Sequence, residues 1–185
     1  MKSKFSDFQV QPSQFQKHWY LDREIIFLNH GSFGACPIAV LEAQQRWRQE
    51  LEKEPLRFFR EDWEKLLDSA RNKLAEFVGA NASELVFVPN ATTGVNAVLR
   101  SLKFCDDDEL LTTDHEYNAC RNVLDFVASQ TGARIVVAQV PFPIASPQQA
   151  VEAVLEKVSP KTRLALLDHI TSQTGLIFPV QQIVR

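Results

Sequence analysis

Apolar positions along this chain fall into two rhythms. Short runs read as strands: Ile25 to Leu28, Leu85 to Val88, Glu109 to Thr112, Arg134 to Val140 and Arg163 to Asp168. Between them, apolar residues recur at three- and four-residue spacing, which puts them on one side of a helix. Ile38, Val40, Leu41, Trp47 and Leu51 predict a helix from Pro37 to Glu54; Trp63, Leu66, Leu67, Ala70, Leu74 and Phe77 predict another from Glu61 to Val78, stopped by Gly79. Further helices are expected over Thr92 to Leu102, Tyr117 to Gln130 and Ser146 to Val158, with Ser146 as N-cap and Pro147 in the first turn. From residue 85 onward strands and helices alternate. Right-handed crossovers then imply an α/β fold: a mainly parallel sheet flanked by helices on both faces.

Composition narrows the class without changing it. The chain has 185 residues, is 45% hydrophobic and carries a net charge of −3, which suits a globular core and supplies no basic excess for nucleic acid. Met1 to Val10 lacks the apolar stretch of a secretory signal, and no run approaches membrane-spanning length, so a cytoplasmic protein without membrane contact is expected. Cys36, Cys105 and Cys120 fit neither a disulfide framework nor zinc spacing and read as reduced packing residues. Asp106 to Glu109 reads as a solvated turn. No metal site is expected, because Asp114, His115 and Glu116 are too close in sequence to converge on one ion unaided.

In an open parallel sheet, ligands gather beyond the carboxyl ends of the strands, which singles out three loops. Asn90-Ala91-Thr92-Thr93-Gly94 opens a helix with two hydroxyls and unpaired N–H groups. It can cradle a phosphate, or Asn90 or Thr92 can simply cap the helix. Asp114-His115-Glu116-Tyr117-Asn118 gathers ionisable and aromatic groups, one of which could stack on a flat ring. Asp168 to Gly175 is an almost continuous set of hydrogen-bonding side chains, readable as a cofactor edge or as a polar turn whose Asp168 and Thr171 satisfy backbone groups. The two glycines of Asn29-His30-Gly31-Ser32-Phe33-Gly34 mark a further loop suited to ligand contact.

Taken in order, Phe27 to Gly34, Asn90 to Asn96 and His169 to Gly175 resemble the class V aminotransferase-like family of fold-type I pyridoxal 5'-phosphate (PLP) enzymes, especially its isopenicillin N epimerase-labelled and cysteine desulfurase-like branch. The resemblance implies PLP as cofactor, with its phosphate held at Thr92 and Thr93 and its ring stacked on Tyr117, or on His115 in an alternative register. It also implies polar contacts from Thr171 and Ser172 and substrate contacts from Asn29, His30 and Gly31. A desulfurase asparagine is replaced here by Ser172, which speaks against a strict desulfurase. By the same resemblance, residues 1–60 form an arm and first helix and 61–185 part of the PLP-binding large domain. The Schiff-base lysine and pyridine-facing aspartate are expected beyond Arg185, making the chain an N-terminal fragment inactive alone. The implied activity is epimerisation, carbon–sulfur lysis or transamination of an amino acid substrate by a homodimer. The alternative is a noncatalytic remnant or interaction domain.

Overall fold

The computed structural model describes residues 14–184; Met1 to Val10 and Arg185 lie outside the described residues. The chain forms two compact units that divide between Val86 and Phe87.

The first unit is helical. Helix α1, Ile38–Lys53, follows Pro37, whose fixed φ suits a helix start. A π-helical stretch, Phe58–Asp62, leads into helix α2, Trp63–Val78. Phe58, Phe59 and Trp63 gather there with ring centroids 5.7–6.2 Å apart. The Trp19 indole N–H donates to the Ala35 carbonyl at 3.0 Å, tying the segment ahead of the glycine-containing loop to the start of α1.

The second unit holds the sheet. Helix α3 spans Ala91–Ser101, strand β1 Glu109–Thr113, helix α4 Asn118–Thr131, strand β2 Arg134–Ala138, helix α5 Pro147–Leu155 and strand β3 Thr162–Ala165. The strands form a parallel sheet in the order β2-β1-β3, with Leu111 opposite Val136 on one side and Ala165 on the other. All of β1 is buried, as a central strand covered on both faces should be. Alternation along it sends Leu110 to a core with Leu99 of α3 and Val123, Leu124 and Val127 of α4. Leu111 points the other way, to Ala138 and Val154 of α5. The expected α/β fold with helices on both faces is therefore present.

Two expected strands are not formed. Ile25 to Leu28 and Leu85 to Val88 take no ladder bonds among the described residues, and Ile26, Leu28 and Val86 are strongly exposed. An apolar run becomes a strand only where a neighbour supplies donors and acceptors, and none does so here. Strand β3 is shorter than expected, although the Leu166 N–H still donates to the Leu111 carbonyl at 2.8 Å. Ser146 stands at the N-cap of α5, yet its side chain makes no capping bond; instead the Gln149 side chain accepts from the Ala145 N–H.

The acidic run is only partly a solvated turn. Asp106 and Asp107 are exposed, but Glu109 is buried at the start of β1, where it pairs with Arg134 and accepts from the Ser159 hydroxyl at 2.6 Å. Those partners hold its carboxyl below the usual range. The cysteines are free thiols, but only Cys120 packs in the interior; Cys36 and Cys105 are exposed.

Candidate functional site at the carboxyl edge of the sheet

Helix α3 begins with Asn90 as N-cap. Its side-chain oxygen accepts from the Thr93 N–H at 2.8 Å and from the Thr93 hydroxyl at 3.0 Å. The capping reading of Asn90 is thus realised, and Thr93 is engaged by it. The N–H groups of Ala91 and Thr92 have no carbonyl four residues back within the helix, and together with the positive end of the helix dipole they favour an anion. Thr92 is half-buried and Thr93 exposed. These donors suit a phosphate, with the Thr93 hydroxyl able to contribute only by turning away from Asn90.

The loop after β1 is tightly built. The Asp114 N–H donates to the Ala138 carbonyl at 3.1 Å, and the Asp114 carboxylate accepts from the Val140 N–H at 2.9 Å. His115 is only 6% exposed, and both its ring nitrogens are engaged: Nε2 donates to the Val140 carbonyl at 2.9 Å and Nδ1 meets the Thr174 hydroxyl at 3.0 Å. The Thr174 hydroxyl lies 2.7 Å from that of Thr171, which accepts from the Leu176 N–H at 3.0 Å. Because a carbonyl can only accept, Nε2 carries a proton, and in the neutral ring Nδ1 accepts from Thr174. The result is one directed chain from Leu176 through Thr171, Thr174 and His115 to Val140.

That chain fastens the loop after β3. Its residues fold back on themselves through an isolated antiparallel bridge between Ile170 and Ile177, with Gly175 at φ 66° making the return. Thr171 is buried with its hydroxyl used internally, while Ser172 and Gln173 face outward. The Gln173 side chain donates to the Glu116 carbonyl at 3.2 Å, joining this loop to the one after β1.

Tyr117, 45% exposed, stands as the N-cap residue of α4. Its N–H is shared by two carboxyl groups, Glu116 Oε1 and Asp168 Oδ2, each at 3.1 Å. Glu116 is buried and also accepts from the Thr112 hydroxyl at 3.2 Å. Burial, reinforced by the charge of Asp168, pushes Glu116 up to about 7; burial raises Asp168 as well. Cys120, in the first turn of α4, is raised by burial and by both carboxyls. Sequence reasoning named Glu116 and Asp168 as loop residues but missed the pair. Their common place, three residues past the ends of β1 and β3, emerges only once the strand ends are fixed by the structure.

Asn29, His30 and Gly31 belong to the first unit, where His30–Phe33 forms one helical turn. His30 lies edge-on to Phe27, with centroids 4.8 Å apart. It lines a cavity of about 730 Å³ with Trp19, Ile25, Phe27 and Pro37. In the second unit Lys103, Lys157 and Lys161 sit in the helix-to-strand connections at the amino edge of the sheet, away from these loops, and Lys161 pairs with Asp107 at 2.6 Å. Among the described residues no helix is long and apolar enough to cross a membrane.

The profile of the aminotransferase class-V family matches residues 27–185. Isopenicillin N epimerase of Streptomyces clavuligerus is 32% identical over 163 residues, covering 88% of this chain and 41% of the relative. L-cysteine desulfhydrase of Arabidopsis thaliana is 28% identical over 172 residues, covering 85% and 38%. Two structures of the cystine C–S lyase C-DES superpose with TM-scores of 0.72 and 0.73 at 25% identity, covering 82% of this chain and 40% of theirs. One is a mutant with glycine covalently linked to the PLP cofactor; the other holds the product cysteine persulfide. The chain spans about two fifths of the length of these relatives.

Proposed function

The chain belongs to the class-V aminotransferase family, whose cofactor is PLP, and on that premise we propose that it forms the phosphate- and ring-holding part of an enzyme that cleaves a carbon–sulfur bond in an amino acid. The observation that carries this reading is the half-exposed Tyr117 ring at the carboxyl edge of the sheet, fixed by loops that β1 and β3 bring together. In this reading the N–H groups of Ala91 and Thr92 and the Thr92 and Thr93 hydroxyls hold the phosphate, and Tyr117 stacks on the ring. The buried His115 serves as a strut behind it rather than as the stacking group. Ser172 offers a hydroxyl to the polar edge of the ring, and Thr171 holds its loop in place.

Bound PLP supplies an electron sink next to the substrate's α-carbon. The residues in this chain bind and orient. By the family resemblance the covalent lysine belongs, in this proposal, to sequence outside these 185 residues; the lysines of the second unit, Lys103, Lys157 and Lys161, stand at the opposite edge of the sheet. These residues alone would then bind PLP weakly and turn over no substrate. Carbon–sulfur cleavage is favoured by the desulfhydrase and cystine lyase relatives; epimerisation, the second reading, is favoured by the 32% identical epimerase. A homodimer follows from the family resemblance.

The test uses the protein expressed from its whole gene, loaded with PLP. Sulfide or persulfide release from L-cysteine or L-cystine supports carbon–sulfur cleavage. Exchange of the α-hydrogen for solvent deuterium with the side chain intact supports epimerisation. A protein that binds PLP yet does neither, across the common L-amino acids, favours the noncatalytic alternative.

A further inference from the structure

Tyr117 is held from both sides of its backbone. Its carbonyl accepts from the N–H groups of Cys120 and Arg121, each at 2.9 Å, as the first turn of α4. Its N–H lies 3.1 Å from one oxygen of Glu116 and 3.1 Å from one of Asp168. With the backbone fixed, only two side-chain torsions remain to set the ring, so whatever holds that N–H also aims the ring.

We propose that Glu116 and Asp168 are positioning residues for the Tyr117 ring: a carboxyl pair that shares one proton and holds the Tyr117 N–H between two strand ends. Both carboxyls meet at the Tyr117 N–H, and Glu116 is anchored to both loops. The second oxygen of Glu116 accepts from Thr112 of β1, and the Glu116 carbonyl accepts from Gln173 of the loop after β3. Two like charges beside one N–H would repel, whereas a protonated Glu116 donates to an ionised Asp168 and leaves the pair with a single negative charge. The groups acting on Glu116 are Asp168, Thr112 and the Tyr117 N–H, and Cys120 of α4 faces both carboxyls; none of them is a cation. Among the described residues, none of the groups acting on the pair compensates for loss of the shared proton. The ring's hold loosens when both carboxyls ionise.

The inference rests on the reading of Tyr117 as the ring-stacking residue, and two measurements on the 185-residue protein separate the two. In ¹⁵N-labelled protein without cofactor, the Tyr117 amide resonance is expected to titrate with Glu116, at about 7. Glu116→Gln should abolish that titration. Asp168→Asn, by removing a like charge, should move it to lower pH. An amide that stays flat between about pH 5 and pH 9, or that titrates unchanged in Glu116→Gln, overturns the carboxyl pair.

PLP binding, followed by fluorescence quenching at low pH and again above the titration, tests the consequence. Glu116→Ala is expected to weaken binding roughly tenfold, while Glu116→Gln stays within about twofold of the parent and loses the pH dependence. If Tyr117→Ala leaves PLP affinity intact while the amide titrates as expected, the stacking reading fails and the clamp survives. If Tyr117→Ala weakens binding but neither Asp168→Ala nor Glu116→Ala does so, the positioning proposal is overturned. Asp168→Ala removes the second acceptor from the Tyr117 N–H and keeps the test valid if Glu116→Ala does not fold.

Discussion

Replacing Glu116 with Gln should change how stability depends on pH, and the sign is fixed by where the proton sits. In the unfolded chain Glu116 ionises near the ordinary 4.5, whereas in the folded protein it keeps its proton up to about 7. Between those values the folded state binds more protons than the unfolded one, so stability falls as pH rises. The contribution is complete below about 4.5 and gone above about 7. For a carboxyl as buried as this one, the difference across that window is on the order of 3 kcal/mol. Asp168 is also raised and acts in the same direction, while Asp107 and Glu109 are lowered and act oppositely. The informative quantity is therefore the difference between parent and Glu116→Gln. Gln can accept from the Tyr117 N–H and donate to Asp168, yet it cannot ionise. Urea unfolding followed by circular dichroism should show near-equal stabilities below about pH 4.5 and a growing advantage for Glu116→Gln toward pH 8. Parallel stability curves for the two proteins would refute the shared proton.

Three further substitutions probe the frame around the site. His115→Phe removes the donor to Val140 and the partner of Thr174, leaving buried polar groups unpaired, and should cost roughly 2–4 kcal/mol in urea unfolding. Asn90→Ala removes the cap of α3 and should lower stability by about 1 kcal/mol. It also frees the Thr93 hydroxyl, so PLP affinity measured by fluorescence should not fall in parallel. Gly132→Ala places a β-carbon at φ 78° and 3.1 Å from the Asp106 β-carbon, and should reduce stability by roughly 1–2 kcal/mol, read as a lower midpoint in thermal unfolding.

What the sequence reveals and conceals follows from the range of each interaction. Helices α2, α3 and α4 were legible because a helix closes its own bonds and its apolar spacing shows directly in the chain. Strands β1 and β2 were legible because turns and helices bracket them. Leu85 to Val88 has the same apolar character as β1, yet stays unpaired, because a strand depends on a neighbour that local pattern does not name. The acidic run misled for a related reason: Asp107 and Glu109 look alike in sequence, but only Glu109 enters β1, where Arg134 and Ser159 wait.

The candidate site divides along the same line. Tyr117 and Thr93 are singled out through the family resemblance, whereas the chemistry of their own loops leaves open which ring would stack and whether the helix start is a phosphate cradle or a cap. The carboxyl pair could be read from neither, since Tyr117 and Asp168 are 51 positions apart and meet only because the chain leaving β2 crosses over β1 to add β3 on its far side. That crossover puts two acidic residues, each three past a strand end, at one backbone N–H. Burial then forces one of them to keep its proton. The pair is thus a product of strand order rather than of any motif. A relative that keeps the Glu and Asp but moves β3 away from β1 should lose the titration along with the contact.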